Sequence, residues 1–332
     1  MLVSCIIDGN YILSKLTFTL FKNNLLYGSL EQALENSILN YKKIYPFCDF
    51  YLVSDSKEKS WRGDYLKEYK ASRKRDSEID WKFVYSTYDK FKSKLGGIKI
   101  LEHPRVEGDD WISFLIKKSN NEGKSCMVVS NDHDIKQLIK FDLDGLWMNF
   151  MSNEMFNKQK IFLPKNYRIL IDKIEKLPND DIFELNNNNE FLSMIKKFED
   201  RHEIHEINNL ESLIIKIISG DSSDNIQSVY QVNKGGRIRG IGTKGAYSVY
   251  DKYIQEFGEI SLEDPDLYEN IADIICEKKK LSKSMIGKIV SRIHQNMRLV
   301  DLRVENFPNE IVSSMNQKFD SLNGQKIQDL TS

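Results

Sequence analysis

Carboxylates crowd into two short runs of this chain, Glu107, Asp109 and Asp110 in one, Asp132 and Asp134 in the other. Like charges this close repel one another unless a cation neutralises them, and Mg2+ and Mn2+ prefer ligand sets made of oxygen. Both runs therefore read as parts of a metal cradle. Acids are also common as helix caps and in solvated turns, so the weight of each run depends on whether its placement recurs along the chain.

The neighbouring residues say how the acids are positioned. Ser125 to Ser130, with Met127, Val128 and Val129, is an apolar run suited to a buried strand, and it stops at Asn131-Asp132-His133-Asp134. Glu107 to Asp110 precede Trp111, Ile112, Leu115 and Ile116, whose spacing is that of an amphipathic helix, so these acids fall in its first turn. Val3 to Ile7 forms another apolar run ending at Asp8, and Phe50 to Val53 a further one ending just before Asp55. Open α/β sheets place their ligands at such outgoing strand ends.

Helical spacing over 30–45 and 81–95, with strand candidates at 98–101 and 146–150, completes an alternation of strand and helix. The fold class predicted is α/β, a mostly parallel central sheet with helices on both faces. Residues 151–207 are less regular and read as an insertion leading to a second, mainly helical region: Pro164 and Pro178 interrupt them, and the run Asn186 to Asn189 suggests a loop. The domain expectation is an α/β domain over 1–180 with a basic segment at about 57–95, an insertion or linker at 181–209, and a mainly helical domain over 210–332.

Composition bounds the function classes. The chain has 332 residues, hydrophobic content of 40% and charged content of 29%, as in a soluble globular protein. Lys+Arg of 48 against Asp+Glu of 49 leaves a net charge of -1, so affinity for a polyanion has to come from local charge. Cys5, Cys48, Cys126 and Cys276 lack C-x-x-C spacing and read as core thiols of a reducing compartment. The expectation is a cytoplasmic protein with no signal peptide and no membrane association.

Local charge does appear. Residues 57–75 carry Lys57, Lys59, Arg62, Lys67, Lys70, Arg73, Lys74 and Arg75 against Glu58, Asp64 and Glu68. On a helix, Arg62, Tyr65, Tyr69 and Arg73 would share one side with Lys67 and Lys70 beside it, and cations interleaved with aromatics suit phosphates and exposed base faces. Further on, Asp221 and Asp224 stand three apart after an apolar helix. Gly240-Ile241-Gly242-Thr243-Lys244 then opens another helix, whose first amides suit a phosphate as in a helix-hairpin-helix loop. Lys278, Lys279, Lys280, Lys283, Lys288, Arg292 and Arg298 extend the basic track or form a solvated face.

In this order the motifs IIDGN, SDS with WRGDYLKEYKASR, VEGDDWIS, VSNDHDIKQL, IISGDSSDNIQSV and GIGTKGA resemble the 5′-nuclease, or flap endonuclease, superfamily. The resemblance covers roughly 1–150 and 210–257. It implies a PIN-like nuclease core with Asp8, Asp55, Glu107, Asp109, Asp132, Asp134, Asp221 and Asp224 as metal-site acids and Asp110 as a neighbouring member. It also implies Arg62, Tyr69 and Lys70 as catalytic contacts to the scissile phosphate and 5′ strand. Gly240, Gly242 and Lys244 match the hairpin holding the duplex, where a K+ ion also binds in the family.

The implied activity is a 5′-to-3′ exonuclease and flap endonuclease, a monomer using two Mg2+ ions, with Mn2+ as substitute. Its substrates would be DNA and RNA·DNA hybrids with 5′ ends or flaps, in phage primer removal and replication beside a single-strand-binding protein and a sliding clamp. Two departures stand out: Gly108 replaces the family's usual alanine, and Lys234 to Arg239 are unusually rich in glycine and arginine.

Three other readings differ in what they require. A non-catalytic, structure-specific DNA-binding protein would have lost ligands, and all eight matched acids are present. A PIN-type ribonuclease would not need Asp221, Asp224 or the hairpin. A phosphotransferase with Asp8 as covalent nucleophile wants a second aspartate two residues on, where this chain has Asn10.

Overall fold

The computed structural model describes residues 3–155, 158–176, 186–234 and 237–329. It divides into two units, each with its own core. The first comprises Met1–Ser60, Arg75–Asn208 and Leu302–Ser332, the second Trp61–Lys74 and Asn209–Asp301.

The first unit is built on strand β1 (Val3–Asp8), buried along its whole length. An apolar strand of this kind has to sit in the middle of a sheet covered on both faces. β1 pairs in parallel with β2 (Asp49–Val53) and β4 (Ser125–Val129), and β2 pairs in parallel with β3 (Lys99–Leu101). Beyond β4 lies β6 (Trp147–Met155), flanked by the short β5 (Phe141–Asp142) and followed by antiparallel β7 (Lys158–Pro164) and then β8 (Glu203–Ile207). The sheet order is β3-β2-β1-β4-β6-β7-β8.

Side chains alternate across each strand, and the two faces are covered by different helices. Val3, Cys5, Ile7, Phe50 and Leu52 pack in one cluster with α1 (Gly9–Lys22), α2 (Leu26–Ile44), α3 (Trp81–Lys94), α5 (Tyr167–Glu175) and α6 (Asn186–Glu199). On the other face Tyr51 stacks on Phe319 of α11 (Asn309–Asp329), which meets Phe114 of α4 (Gly108–Asn121) edge-on at 5.7 Å. The α/β class with helices on both faces is the architecture observed. All four cysteines are free and buried.

The second unit packs α7 (Asn209–Ser219), α8 (Thr243–Phe257), α9 (Leu267–Lys279) and α10 (Ile286–Val300) around Ile214, Ile218, Tyr253, Ile271, Ile275 and Ile293. Between α7 and α8 runs a hairpin of β9 (Gln231–Lys234) and β10 (Arg237–Gly240). Gly235 and Gly236, within the glycine-rich departure noted above, lie outside the described residues, as does Pro178.

Three sequence expectations require correction. Residues 151–207 are not merely an insertion, because β7, α5, α6 and β8 extend the sheet and its core. The asparagine run opens helix α6 instead of a loop, since Phe191, Leu192, Ile195 and Phe198 behind it have helical spacing and bury. Nor does everything after 210 belong to the helical domain: from Leu302 onward the chain packs with the sheet. There the Leu302 amide donates to Gln137 Oε1 at 2.9 Å, and Lys117 pairs with Glu305 at 2.6 Å.

Candidate metal centre and nucleic-acid interface

In the first unit, strand register converts sequence distance into proximity. β1 is aligned with β2 so that Asp8 faces Val53, and with β4 so that Ile7 faces Val129. Asp8, Asp55 and Asp132 are therefore all carried at the carboxyl end of three adjacent parallel strands.

Local bonds fix each acid. Asp8 caps α1, accepting from the Tyr11 amide at 3.0 Å through Oδ1 and from the Ser130 hydroxyl at 2.7 Å through Oδ2. The Asp55 loop is stitched to the loop after β3 by the Ser54 and Ser56 amides, which donate to the Leu101 and Val106 carbonyls. This brings the Gly108 amide to 2.7 Å from Asp55 Oδ1. A Cβ on residue 108 would lie 3.3 Å from that same oxygen, so glycine leaves Asp55 room at the helix start. Asp132 accepts from the Asp134 amide at 2.8 Å, and its own amide donates to Ser130 at 3.0 Å.

Electrostatics singles out Asp8 within this group. Burial pushes Asp8 up from 3.8 to about 6, and the negative charges of Asp55 and Asp132 add to the rise while the Tyr11 amide and Ser130 hydroxyl oppose it. A carboxylate held this way gains from a nearby cation. Glu107 is buried, Asp109 half-buried, and Asp132 exposed. Asp110, expected as a neighbouring ligand, is wholly buried and closes a capping box, its Oδ2 accepting from the Glu107 amide at 3.0 Å. Its role is to hold the helix start. Among the described residues no group of three or more His, Cys, Asp or Glu is already drawn together as a metal cage.

The second unit treats its acids differently. Gly220, at φ +67, lets the chain fold back where a Cβ would collide with the backbone of Ile226 and Gln227, and the Asp221-Ile226 bridge closes the loop. Asp221 is ion-paired with Lys216, and Asp224 accepts from Arg73 Nε at 2.9 Å. Burial would raise Asp221, but the Lys216 ammonium and the Ser223 hydroxyl outweigh it and hold the carboxyl down at about 2.

The basic segment departs from its expected form. Within 57–75 only Trp61–Asp64 makes a short 3-10 turn, and turns follow to residue 72, with Lys70 at φ +58. The single-sided array of Arg62, Tyr65, Tyr69 and Arg73 does not form. Arg62, expected at the scissile phosphate, is 1% exposed, sits 4.4 Å over the Trp61 ring and donates to the Leu299 carbonyl at 2.8 Å. It braces the fold here. Tyr65 and Lys67 are exposed; Tyr69 and Lys70 are half-buried, the Lys70 ammonium 5.1 Å from the Tyr69 ring. Gly240, Gly242 and Lys244 are exposed at the entry to α8, and a Cβ on Gly240 would collide with Ser228.

Three contributors escaped the sequence reading. Ser130 follows the β4 run directly, and the register that pairs Ile7 with Val129 sets it beside Asp8. Lys216 precedes Asp221 by five residues, a spacing that signals nothing until Gly220 turns the chain. Tyr88 lies behind the Asp8 loop, bonded to Ser54 at 2.8 Å and filling the space that a Cβ on Gly9 would need.

Residues 4–165 match the family of the 5′-3′ exonuclease N-terminal resolvase-like domain. That match, over just under half of the chain, supports a place in the 5′-nuclease superfamily. Among its curated superfamily relatives, a 5′-3′ exonuclease of Buchnera aphidicola is 32% identical over 167 residues, covering 47% of this chain and 54% of the relative. Ribonuclease H of Enterobacteria phage T4 is 27% identical over 160 residues, covering 43% of this chain and 51% of that protein. The chain thus spans about half the length of these relatives. Among solved structures, a T5 5′-exonuclease with bound divalent metal ions (zinc) matches the fold with a TM-score of 0.57 at 16% identity, over 97% of this chain and 98% of that one. A bacteriophage T5 flap endonuclease in complex with DNA and metal ions does so with a TM-score of 0.57 at 17% identity, over 96% and 98%.

Proposed function

We propose that this 5′-nuclease superfamily member is a divalent-metal-dependent phosphodiester hydrolase acting as a 5′-to-3′ exonuclease and flap endonuclease on DNA and RNA·DNA hybrids. The observation that supports it most is the raised Asp8, pressed by Asp55 and Asp132 at the end of three parallel strands. Hard oxygen donors in such surplus fit Mg2+ or Mn2+ better than any softer metal. The solved T5 relatives that carry metal ions, one of them with DNA, favour the same reading.

Asp8, Asp55, Glu107, Asp109, Asp132 and Asp134 would hold the ion, and Asp221 with Asp224 would serve a second. When bound, such ions supply a more acidic water and a counter-charge for the leaving oxygen. The chain's own residues do the positioning. The Tyr11 amide and Ser130 hydroxyl orient Asp8, and the Gly108 amide orients Asp55. Lys70 would offset charge on the phosphate, and Tyr65 and Tyr69 would meet exposed bases. The amides opening α8, with Lys244, would grip the duplex backbone, and a K+ ion at that loop belongs to the same proposal. Removal of RNA primers, and partnership with a single-strand-binding protein and a sliding clamp, are further proposals that rest on the family resemblance.

A 5′-flap substrate incubated with Mg2+ and the Asp132→Asn variant tests the assignment. Cleavage should be lost while DNA binding persists, and undiminished cleavage would refute it.

A further inference from the structure

In the second unit, α10 presents two unlike faces. Ile289, Ile293, Leu299 and Val300 are buried, whereas Lys288, Arg292 and Arg298 recur at spacings of four and six on the outer side. Its sequence, IGKIVSRIHQNMRLV, contains no acid. These cations line an open groove of about 790 Å3 together with Tyr65, which is 43% exposed, and no acid is among the lining residues.

The groove is a built feature. Arg62 ties the 61–74 segment to the end of α10 through the Leu299 carbonyl, and Gln295 Nε2 reaches the Tyr65 carbonyl at 3.5 Å. The buried Trp61 meets the Tyr65 ring edge-on at 6.0 Å and holds it over the groove. A solvated basic face would need none of these braces.

We propose that this groove binds a single-stranded nucleic-acid segment, with phosphates along Lys288, Arg292 and Arg298 and one base stacked on Tyr65. From residue 288 to 298 the helix rises about 15 Å, enough to follow more than one phosphate of a strand. An exposed aromatic beside a cationic stripe suits unpaired bases, whose faces are free, better than a closed duplex. The inference deepens the nuclease reading and rests on it: the strand held here would be the unpaired part of the substrate.

Binding is measured by fluorescence anisotropy in EDTA, so that no cleavage intervenes, with a labelled single-stranded 12-mer and a duplex of the same sequence. For the Lys288→Gln/Arg292→Gln double variant, single-strand affinity should fall about tenfold, and the slope of log affinity against log salt should shrink by about 1.4, two phosphate contacts at about 0.7 each. Tyr65→Ala should weaken the single strand several-fold with the salt slope unchanged. Because Arg292 is half-buried, Gly287→Glu serves as the control for folding: the position opens onto the groove, a Cβ there meets nothing, and the charge alone should repel the strand.

An unchanged salt slope in the double variant, an equal loss on the duplex, or displacement of the strand by poly-glutamate with wild-type strand affinity retained in the variants would overturn the proposal. A chain that cleaves with Mg2+ yet shows the unchanged slope sinks the groove alone. One that binds through the groove but never cleaves sinks the nuclease reading alone.

Discussion

The two units carry acids of the same type in opposite electrostatic states. In the first, Asp8 is raised to about 6 by burial and by the neighbouring Asp55 and Asp132. In the second, Asp221 is held at about 2 against burial by Lys216 and Ser223, and Asp224 is bonded to Arg73. In the first, the raised Asp8 carboxyl is what a nearby cation would relieve. The second is already neutralised by its own chain, so an ion there has to displace a lysine and an arginine. Acid count alone would rank the two alike; the groups that act on Asp8 and on Asp221 separate them.

The contrast can be broken by mutation. Asp8→Asn should have the largest effect: Mg2+-dependent cleavage should drop by about three orders of magnitude, as expected when several kcal/mol of charge stabilisation go. Its melting temperature without metal should nonetheless rise, because the strained carboxylate is gone. Lower activity together with a lower metal-free melting temperature would mean that Asp8 is a structural acid.

The pH profile sharpens the same point. A folded-state value raised from 3.8 to about 6 means that the folded chain retains a proton the unfolded chain has released. The contribution of Asp8 to metal-free stability is therefore full below about pH 4 and is lost as pH rises through 6, by about 3 kcal/mol in total. Denaturant titrations of wild type and Asp8→Asn in EDTA at pH 4.5 and 7.5 should differ in this sense, and Mg2+ should restore wild-type stability at the higher pH. Asp221 runs the other way, contributing stability above about pH 4 that is lost as pH falls through 2.

Arg62→Ala tests the reassigned arginine. Loss of a buried guanidinium that bonds the Leu299 carbonyl should cost about 2 kcal/mol, read as a lower denaturation midpoint. An unchanged midpoint with lost cleavage would restore Arg62 to the phosphate. Smallest is Gly108→Ala, where the gain in helix propensity of about 1 kcal/mol is opposed by a methyl at 3.3 Å from Asp55 Oδ1. Stability should move by less than about 1 kcal/mol while Mg2+ affinity weakens, both measurable by calorimetry.

Legibility in the sequence followed locality. β1, β2 and β4 were readable because a strand buried on both faces is a continuous apolar run, and the acids closing those runs marked the sheet end. β7 was not, although Ile161, Phe162 and Leu163 are as apolar, because prolines and asparagines nearby suggested a break. The short 3-10 turn at Trp61 and the burial of Arg62 depend on a carbonyl 237 residues away. A charge run looks solvated until such a distant partner is known. The return of α11 to the sheet was hidden for the same reason: Phe319 finds Tyr51 and Phe114 only in the folded chain.

The most direct measurement is anomalous diffraction from crystals soaked in Mn2+. A peak is expected about 2.2 Å from carboxylate oxygens of Asp8, Asp55 and Asp132 or their neighbours Glu107 and Asp109, at the distance of a first-row divalent ion. Peaks only elsewhere on the protein, with these carboxylates bare at saturating Mn2+, would contradict it.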